Sequence, residues 1–329
     1  MTPETPAIIV TGASTGIGAA VAVRMARRGF HVYAGVRAEA DGEALEEHTA
    51  NIEPVLLDVT DADAIAAAVS RIEAERGELA GLVNNAGIAV AGPVEFLETN
   101  DWREQFEVNV FGAAAVTRAC IPLLRAGQGR IVNMSSFSGR FAPPFMGPYS
   151  ASKHALEAMS DALRVELQPW GIDVAVIEPG SIATPIWEKG LSRADHMLER
   201  LPQRARELYG EAIEAMRSQG VEMGEQGIPP RHVARAVDHA LTARRPRTRY
   251  VVGRDAKVGL AVTGLLPDRA RDWLVTRRGG LPGRKGRHNE DRHRIASLSS
   301  CEATASSAYS TSSRMAALIF SRELTVCAP

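Results

Sequence analysis

The residues with the clearest chemical potential are Tyr149 and Lys153, which stand four positions apart in a stretch with helical periodicity. At this spacing both side chains project from the same face of a helix, one turn apart. A phenol has an unperturbed pKa of about 10, too high for proton transfer at neutral pH, and a neighbouring ammonium lowers it. The pair therefore predicts an acid/base group, although the same spacing also arises where the tyrosine is half-buried and the lysine solvated.

Two further polar residues add context to that pair. Ser136 comes shortly after the apolar run Arg130–Met134, which is typical of a buried strand, and Asn109 lies in the helical stretch before it. The carboxyl ends of parallel strands meet at one edge of a sheet, where ligands bind. We therefore expect the regions that carry Asn109, Ser136 and the pair of Tyr149 and Lys153 to converge at that edge.

A glycine-rich turn, Gly12-Ala-Ser-Thr-Gly16-Ile-Gly18, separates the apolar run Ala7–Val10 from an amphipathic helix over Ile17–Arg28. A side chain in such a turn would keep the backbone away from a pyrophosphate and would crowd the helix against the strand. The free N–H groups at the helix N-terminus favour an anion. The turn predicts a dinucleotide site, although its spacing is not the standard G-x-G-x-x-G and glycine turns also occur for packing alone.

The end of the second predicted strand, Phe30–Val36, indicates which dinucleotide binds. NAD sites place a carboxylate at this point for the ribose hydroxyls, whereas NADP sites place a cation for the 2′-phosphate. Here the strand ends in Val36 and is followed by Arg37, whose guanidinium suits a phosphate. We predict NADP, with NAD as the second choice; the alternative is that Arg37 is an ordinary solvated side chain.

Short apolar runs alternate with helical patterns through the first two-thirds of the chain. Strands separated by helices of this length pair in parallel, so we predict an α/β fold with a single doubly wound, Rossmann-type sheet of about seven strands. The predicted strands are Ala7–Val10, Phe30–Val36, Val55–Leu57, Gly81–Val83, Arg130–Met134, Ile172–Ile177 and Arg249–Val252. Beside Ile17–Arg28, the predicted helices are one capped by Asp61, Trp102–Leu124 and Pro148–Leu167.

The pattern changes after Thr184. Two amphipathic helices are predicted there, the first marked by Leu198, Leu201, Ala205 and Leu208 and the second by Ala212, Ile213 and Met216. An insertion at this point lies over the carboxyl ends of the strands, so we predict a helical substrate lid over about residues 184–230. Residues 1–285 then form one catalytic domain, and the Ser-rich residues 286–329 are predicted to be a disordered tail.

Composition limits the kinds of partner. The net charge is −1, which indicates no basic face for nucleic acid. We see no secretory signal, and no apolar run reaches the roughly 18–20 residues needed to span a bilayer. The three cysteines, Cys120, Cys301 and Cys327, have neither a pairing pattern nor metal-ligand spacing. We therefore expect a cytoplasmic protein without a metal site that acts on a small molecule.

Taken together, these motifs resemble the classical short-chain dehydrogenases/reductases. They occur in the order and spacing of that family across about residues 6–255, as Thr11-Gly12-Ala-Ser-Thr-Gly16-Ile-Gly18, Asp58-Val59, Asn84-Asn85-Ala86-Gly87, Asn109, Ser136, Tyr149-Ser-Ala-Ser-Lys153 and Pro179-Gly180-Ser-Ile182-Ala-Thr184. The resemblance implies hydride transfer between a nicotinamide dinucleotide and an alcohol or ketone. It also implies a homodimer or homotetramer formed through Trp102–Leu124 and Pro148–Leu167.

The resemblance assigns a role to each matched residue. Tyr149 would be the general acid in reduction and the general base in oxidation. Lys153 would lower its pKa and hold the nicotinamide ribose, and Ser136 would hydrogen-bond the substrate oxygen. Asn109 would help to hold a water that relays protons toward Lys153. The other matched residues would contact the cofactor, the adenine at Asp58 and Val59 and the nicotinamide end at Ile182 and Thr184: Gly12, Ser14, Gly16, Ile17, Gly18, Arg37, Asp58, Val59, Asn85, Ala86, Gly87, Pro179, Gly180, Ile182 and Thr184.

Finer features of the resemblance concern selectivity. Arg37 matches NADP-selective members, whereas Thr15 stands where some of those members carry a basic residue. Three stretches look like the retinol and hydroxysteroid dehydrogenase branch, which suggests a bulky lipophilic substrate: Gly81-Leu-Val-Asn-Asn-Ala-Gly87, Met134-Ser-Ser-Phe-Ser-Gly-Arg140 and Val176-Ile-Glu-Pro-Gly180. The apolar lid residues agree with such a substrate, unless they only pack the lid: Trp187, Leu191 and Met197.

Two other functions compete with this interpretation. A 3-oxoacyl thioester reductase of the same family would share the four catalytic residues and differ in the lid. A dinucleotide sensor could use the same fold without catalysis, since a fold does not define a function. Such a sensor should have lost catalytic residues, and here all four are present.

Overall fold

The structure, a computed structural model, describes residues 5–46 and 49–278 of the chain. Within these residues seven strands form one parallel sheet in the order β3-β2-β1-β4-β5-β6-β7. The strands are β1 (Ala7–Val10), β2 (His31–Val36), β3 (Ile52–Leu56), β4 (Gly81–Asn84), β5 (Arg130–Met134), β6 (Asp173–Pro179) and β7 (Arg249–Val252). The strand order reverses between β1 and β4, so the predicted doubly wound sheet is confirmed, and the reversal marks the point where ligands bind.

Helices cover both faces of the sheet. One apolar cluster joins one face to α1 and α9 through residues such as Val21 and Val237, and a second joins the other face to α3 and α5 through Ile72 and Leu124. Because both faces are buried, the central strands are apolar throughout and do not alternate. The helices are α1 (Gly16–Arg27), α2 (Glu39–Glu46), α3 (Ala62–Arg76), α4 (Thr99–Phe106), α5 (Ala113–Ala126), α6 (Gly147–Glu166), α7 (Ile186–Arg200), α8 (Gln203–Glu225), α9 (Arg231–Thr242), α10 (Arg254–Leu265) and α11 (Asp268–Arg278).

The third strand is longer than predicted. It begins at Ile52 instead of Val55 and contains Pro54. Proline donates no hydrogen bond to a neighbouring strand and is therefore excluded from central strands, but β3 lies at the edge of the sheet. The edge position explains both the tolerance of Pro54 and the failure of the apolar pattern to indicate the first half of the strand.

The helix predicted over Trp102–Leu124 is interrupted in its middle. Glu107–Gly112 forms a π-helical turn between α4 and α5, and this turn contains Asn109. π-helical turns are rare in proteins, and those that occur are often found at functional sites. A Cβ at Gly112 would lie 2.7 Å from a methyl carbon of Val59 and 2.8 Å from its carbonyl oxygen, so only glycine permits this close approach.

The same helical stretch, Thr99–Ala126, is the one segment of the described residues that is long and apolar enough to cross a membrane by length and composition. Its most apolar window has a mean hydropathy of 1.3, and 44% of that window is buried inside the protein. Val116, Leu123 and Leu124 from this stretch belong to the second apolar cluster. These contacts are those of a helix that packs on a sheet, and the core helices of globular proteins meet the same criterion.

The segment predicted as a lid contains two helices, and the boundary between them differs from the prediction. α7 ends at Arg200 and α8 begins at Gln203, directly after Pro202. Ala205 and Leu208 therefore belong to the second helix, together with Met216, and not to the first. The apolar spacing continues across the break and therefore does not show where the first helix ends. Pro202 determines the position of the break, because proline can begin a helix but cannot continue one. The predicted boundary at 285 and the predicted tail, residues 286–329, lie outside the described residues.

Candidate active site

A cavity of about 1070 Å³ opens at the carboxyl ends of the strands. The turn after β1, the ends of β2 and β4, the segment after β5, helix α6 and the lid all contribute to its wall. Every site residue predicted from the sequence borders this cavity except Gly18 and Asn109. The fold therefore brings together at one edge of the sheet residues that are up to about 170 positions apart in the chain.

The glycine turn between β1 and α1 borders the cavity through Gly12 and Gly16. Both have positive φ angles, 62° and 61°, in the region that favours glycine. A Cβ at Gly12 would lie 2.8 Å from the Cα of Ala86, so the turn lies directly against the segment that follows β4. The backbone amides of Asn85 and Ala86 each donate to the Thr11 hydroxyl at 3.0 Å, which joins the two segments. The sequence motif contained Thr11, but its anchoring role required knowledge of which loop follows β4.

Gly18 serves the same region without bordering the cavity. A Cβ at this position would lie 2.2 Å from the carbonyl oxygen of Gly12 and 2.6 Å from the Asn85 amide nitrogen. That amide donates to the carbonyl oxygens of Thr11 and Gly12 at 3.0 and 2.9 Å. Gly18 thus allows α1 to begin close to the turn, and this leaves the N–H groups of the first helical turn near the cavity.

Arg37, Asp58 and Val59 border the cavity at the ends of β2 and β3. Asp58 accepts hydrogen bonds from the backbone N–H and the hydroxyl of Thr60, at 2.9 and 2.7 Å. Burial alone would raise the pKa of Asp58, but the Thr60 bonds and the Arg37 charge bring it below its usual value. Arg37 is exposed and makes no hydrogen bond or ion pair with any described residue. Its guanidinium is therefore available to an anion in the cavity.

Ser136, Tyr149 and Lys153 meet where the segment after β5 lies against α6. The Ser136 hydroxyl faces the Tyr149 hydroxyl closely enough to lower the pKa of the phenol. The Lys153 ammonium lies 5.7 Å from the centre of the Tyr149 ring and donates to the carbonyl oxygen of Met134 at 2.7 Å. Lys153 is only 5% exposed, so the cavity wall contains a nearly buried cation beside a phenol.

The pKa shifts of this pair differ from the sequence expectation in one respect. Burial raises the pKa of Tyr149, and the Ser136 hydrogen bond opposes that change only in part. Burial also lowers the pKa of Lys153 to about 8, although the negative charge of Glu157 acts in the opposite direction. The pKa of Tyr149 is therefore raised and not lowered, and the contribution of Lys153 to it stays a prediction. Desolvation of the phenolate is the larger of the two causes, so Tyr149 is a protonated donor at neutral pH.

Asn109 lies beside Lys153 but behind the cavity wall. It is 1% exposed, and its amide uses both ends: it accepts from the Ile88 N–H at 2.9 Å and donates to the Ile88 carbonyl and the Ser152 hydroxyl, each at 3.1 Å. A Cβ at Gly87 would lie 3.3 Å from the Asn109 amide oxygen and 3.7 Å from the Lys153 nitrogen. The observed geometry makes Asn109 an anchor for the segment after β4, and the water relay stays a prediction.

Gln105 is a neighbour of Asn109 that the sequence interpretation missed. It is fully buried, accepts from the Val90 N–H at 2.7 Å and donates to the Ile88 carbonyl at 2.9 Å. Gln105 and Asn109 are separated by one helical turn, so both amides hold the same loop. The i, i+4 spacing of two amide residues was the available signal.

The rest of the cavity wall is largely apolar. It is formed by the segment before α6 and by the lid, through Phe141, Phe145, Met146, Ile186, Trp187, Leu191, Leu198, Ile213, Met216 and Met223. Phe145 has a φ of 62°, a strained conformation for an aromatic residue and one that is commonest at functional sites. The predicted lid residues Trp187 and Leu191 border the cavity, while the side chain of Met197 lies outside the described residues.

Polar contacts attach the lid to the body of the protein. The Tyr209 hydroxyl of α8 donates to Glu95 at 2.8 Å, and its ring packs edge-on against Phe96 and Phe145 at 5.9 and 6.1 Å between centres. Arg193 of α7 forms an ion pair of 2.9 Å with Glu104 of α4. These contacts hold the two lid helices over the apolar part of the cavity.

The described residues provide no alternative site for metal chemistry. Among residues 5–46 and 49–278 no group of three or more His, Cys, Asp and Glu side chains could hold a metal ion. Cys120 is buried, and burial raises the pKa of its thiol to about 12, so the thiol is unreactive at neutral pH. Cys301 and Cys327 lie outside the described residues.

Comparison with known proteins gives the family. The family profile described as "short chain dehydrogenase" matches residues 6–194. The chain is 37% identical to the NADPH-dependent 3-dehydrocapnine reductase of Ornithobacterium rhinotracheale over 81% of this chain and 94% of the relative. It is also 37% identical to the 17-beta-hydroxysteroid dehydrogenase type 6 of Bos taurus, over 82% of this chain and 87% of that protein.

A solved structure gives the same result. The short chain dehydrogenase from Burkholderia cenocepacia, determined in complex with NADP, is 29% identical and superposes with a TM-score of 0.63. The superposition covers 86% of this chain and 100% of that structure. The expected resemblance to the hydroxysteroid dehydrogenase branch is confirmed by the bovine relative. The chain thus belongs to the short-chain dehydrogenase family, as an NAD(P)-dependent oxidoreductase that acts on CH–OH groups.

Proposed function

We propose that this chain reduces the carbonyl group of a lipophilic ketone with NADPH, and oxidises the corresponding alcohol in reverse, with Tyr149 as the acid/base residue. One observation carries the proposal: a single cavity is bordered by the glycine turn and Arg37, by Ser136 and Tyr149, and by the apolar lid. Cofactor, proton donor and an apolar substrate can therefore share one space.

The residues present fit a dinucleotide phosphate. Gly12 and Gly18 lie where a Cβ would collide with the neighbouring backbone, and the first turn of α1 borders the same space. Arg37 has no hydrogen-bond or ion-pair partner among the described residues, so its guanidinium can donate hydrogen bonds to the 2′-phosphate of NADP. The side chain of Val36 cannot accept a hydrogen bond from the ribose hydroxyl of NAD. The reductase from Ornithobacterium rhinotracheale is NADPH-dependent, and the Burkholderia cenocepacia protein binds NADP, which favours the same cofactor here.

The chain's own residues provide the proton transfer, while the bound nicotinamide would supply the hydride. Ser136 and Tyr149 hold the substrate oxygen with two hydroxyl donors. The Tyr149 hydroxyl, protonated because burial raises its pKa, gives its proton to that oxygen as negative charge develops there. The Lys153 ammonium then stabilises the phenolate. The apolar lid excludes water and so strengthens each of these interactions.

The apolar wall favours a lipophilic substrate. Phe141 and Phe145 from the body of the protein and Trp187, Leu191 and Met216 from the lid contribute apolar surface to the cavity. The bovine relative acts as a 17-beta-hydroxysteroid dehydrogenase by its name, which agrees with a bulky apolar ketone or alcohol. The 3-oxoacyl thioester alternative needs room for a long polar arm, and the cationic wall residues Arg193 and Arg217 already form ion pairs with carboxylates.

NADPH oxidation tests the function directly. Steroid, retinoid, aliphatic-ketone and 3-oxoacyl-thioester carbonyls are compared at equal concentrations, with Tyr149→Phe as the matched control. We expect turnover of a steroid-like or retinoid-like carbonyl by the wild type only. Preferred turnover of the thioester would replace the substrate class, and tight NADPH binding without reduction of any carbonyl would favour the sensor.

We also propose that the chain is a cytoplasmic homodimer or homotetramer, assembled through α4–α5 and α6. Phe111 and Val165 support this proposal, because they are 57% and 66% exposed on those helices. Apolar side chains with this exposure on long helices are typical of subunit contacts. Sedimentation of the wild type and of Phe111→Asp tests it: the variant should shift toward the monomer, and a monomeric wild type would contradict the proposal.

A further inference from the structure

A second pair of ionisable groups lies close to Lys153 and is not used by the mechanism above. Glu157 follows Lys153 by one turn of α6, and its side chain is 8% exposed. Glu178 on β6 is completely buried. The Arg249 Nε atom of β7 lies 3.0 Å from an oxygen of Glu157 and 3.4 Å from an oxygen of Glu178. Two carboxyl groups therefore share one guanidinium nitrogen in the protein interior.

The hydrogen bonding of the pair is incomplete. Oε1 of Glu157 and Oε1 of Glu178 are both buried and have no hydrogen-bond partner within the described part of the chain. Two neighbouring buried carboxylates repel each other, and water cannot screen them, so full ionisation of both is costly. A single proton held by one of them removes this repulsion.

The contacts of the two carboxyl groups differ. Glu157 has the closer bond to Arg249 and lies one turn from the Lys153 ammonium. The arginine contacts of Glu178 are longer, 3.3 Å to Arg140 and 3.4 Å to Arg249, and its side chain has no exposure to water. Burial, followed by the charge of Glu157, raises the pKa of Glu178. Glu178 is thus the member of the pair whose ionisation its surroundings disfavour.

The other charges around Glu157 do not change this assignment. Asp161 accepts two hydrogen bonds of 2.8 Å from Arg249 and one of 2.6 Å from Arg164, and these bonds lower its pKa. Its side chain is 45% exposed, so water screens its charge. The charged or ionisable groups that face Glu157 come from α6, β6, β7 and the segment after β5: Lys153, Asp161, Glu178, Arg249 and Arg140.

We propose that Glu157 is a positioning residue for the catalytic lysine: the negative charge of its buried carboxylate, which lies one turn of α6 beyond Lys153 and is held by Arg249, maintains Lys153 as the ammonium at neutral pH. The consequence for the reaction rests on the function proposed above, in which that ammonium stabilises the Tyr149 phenolate. The protonation of Lys153 itself is a property of the folded protein and can be measured without any substrate.

The sign of the effect follows from the environment of Lys153. Burial lowers the pKa of Lys153 to about 8, and the negative charge of Glu157 acts against that lowering. Removing the charge leaves desolvation unopposed, so the ammonium should lose its proton at a lower pH. Reduction that depends on the ammonium should then decline at a lower pH as well.

Three isosteric substitutions separate the roles of the acids. Glu157→Gln removes the charge and keeps the shape and an acceptor for Arg249, so we expect the Lys153 midpoint to fall by about one pH unit. Asp161→Asn is the matched control, because it also removes a carboxylate that binds Arg249, but one that is exposed and one turn further away; its effect should be roughly a third of a unit or less. Glu178→Gln should leave the midpoint unchanged, because Glu157 and not Glu178 is the carboxylate whose charge acts on Lys153.

The measurement is the pH dependence of trace acetylation by acetic anhydride, with Lys153 quantified by mass spectrometry between about pH 6 and 10. Only four lysines occur, at positions 153, 189, 257 and 285, and the exposed Lys257 is the internal reference. Glu157→Asp retains the charge and should restore the wild-type midpoint; it also keeps the test decisive if Glu157→Gln does not fold, because a midpoint about one unit below the wild type would then contradict the proposal.

The outcomes are distinct. An unchanged midpoint in Glu157→Gln, an equal fall in Asp161→Asn, or a fall of a similar size in Glu178→Gln would overturn the proposal. A fall confined to Glu157→Gln supports it, and a parallel shift of the alkaline limb of NADPH oxidation extends it to the reaction. If the midpoint shifts as expected but the wild type reduces no carbonyl, the proposed function fails while the role of Glu157 stands.

Discussion

The two ends of the cavity are built in different ways. The cofactor end consists of short turns that directly follow β1, β2 and β4, and their backbones lie so close together that a Cβ added at Gly12 would be 2.8 Å from the Cα of Ala86. The lid end consists of α7 and α8, held by side-chain contacts such as those of Tyr209 and Arg193. Backbone packing tolerates almost no change, whereas side-chain contacts can be exchanged one at a time. The substrate range can therefore vary while the dinucleotide site and the proton donor stay the same.

Lys153 joins the two ends, and its substitution should have the largest effect that the comparison predicts. Lys153→Met should reduce turnover by roughly 10²–10⁴-fold and also weaken NADPH binding, because one ammonium serves both. In the wild type, reduction should decline as the pH rises through about 8, since deprotonation removes the charge that stabilises the Tyr149 phenolate. Steady-state rates across pH and NADPH titration measure both effects. If Lys153→Met had the pH profile and the NADPH affinity of the wild type, Lys153 would have no role in catalysis or in cofactor binding.

A substitution at Gly12 tests whether close backbone packing controls cofactor binding. Gly12→Ala should weaken NADPH binding on the order of tenfold, which is about 1.4 kcal/mol, because the new methyl group meets Ala86. Gly29→Ala is the matched control: Gly29 also has a positive φ, 89°, but nothing lies within 4 Å of its Cβ position. Calorimetric titration with NADPH distinguishes the two. Equal losses in both variants would mean that backbone strain, and not the close approach to Ala86, controls the site.

Arg37 is an exception at the cofactor end of the cavity, because there a side chain, and not the backbone, is expected to contact the cofactor. We expect NADPH to bind more tightly than NADH by roughly one to two orders of magnitude if the phosphate contact contributes about 1.5–3 kcal/mol. Arg37→Ala should bring the two affinities together, and Val36→Asp should favour NADH. The preference should weaken at high salt, because Arg37 is exposed. Equal affinities in the wild type would remove Arg37 from the cofactor site.

The smallest effect is expected at the lid. Tyr209→Phe removes only the hydrogen bond to Glu95 and keeps the ring contacts with Phe96 and Phe145. An exposed hydrogen bond contributes little, so KM for the carbonyl substrate should rise by roughly two- to threefold while kcat and NADPH affinity stay constant. Kinetics with a steroid-like ketone provide the test. A fall in NADPH affinity would show that the lid and the cofactor end are not independent.

Features that depend on residues close together in the sequence were predicted correctly, whereas features that depend on distant residues were not. The glycine turn, the seven strands and the Tyr149–Lys153 pair were predicted because each depends on residues within a few positions of one another. The helix break at Pro202 was misplaced because apolar spacing continues across it. Helices α9, α10 and α11 were not assigned from the sequence, although Val233 and Val237 of α9 have the helical spacing of a buried face.

Electrostatic properties could not be predicted from the sequence at all. The raised pKa of Tyr149 depends on the burial that many elements produce together. The contact between Glu157 and Arg249 joins residues 92 positions apart, and no local pattern indicates it. A tyrosine–lysine pair in a sequence therefore predicts where proton transfer takes place, while the direction of each pKa shift requires the folded structure.

The central claim is that Tyr149 donates the proton in a cavity whose cofactor end does not depend on it. The most direct test is a single-turnover experiment in which Tyr149→Phe, saturated with NADPH, is mixed with the best carbonyl substrate and compared with the wild type. We predict NADPH affinity close to that of the wild type and a rate of oxidation lower by at least roughly 10²-fold, because the substitution removes only the transferable proton. Near-normal oxidation by Tyr149→Phe would contradict the account.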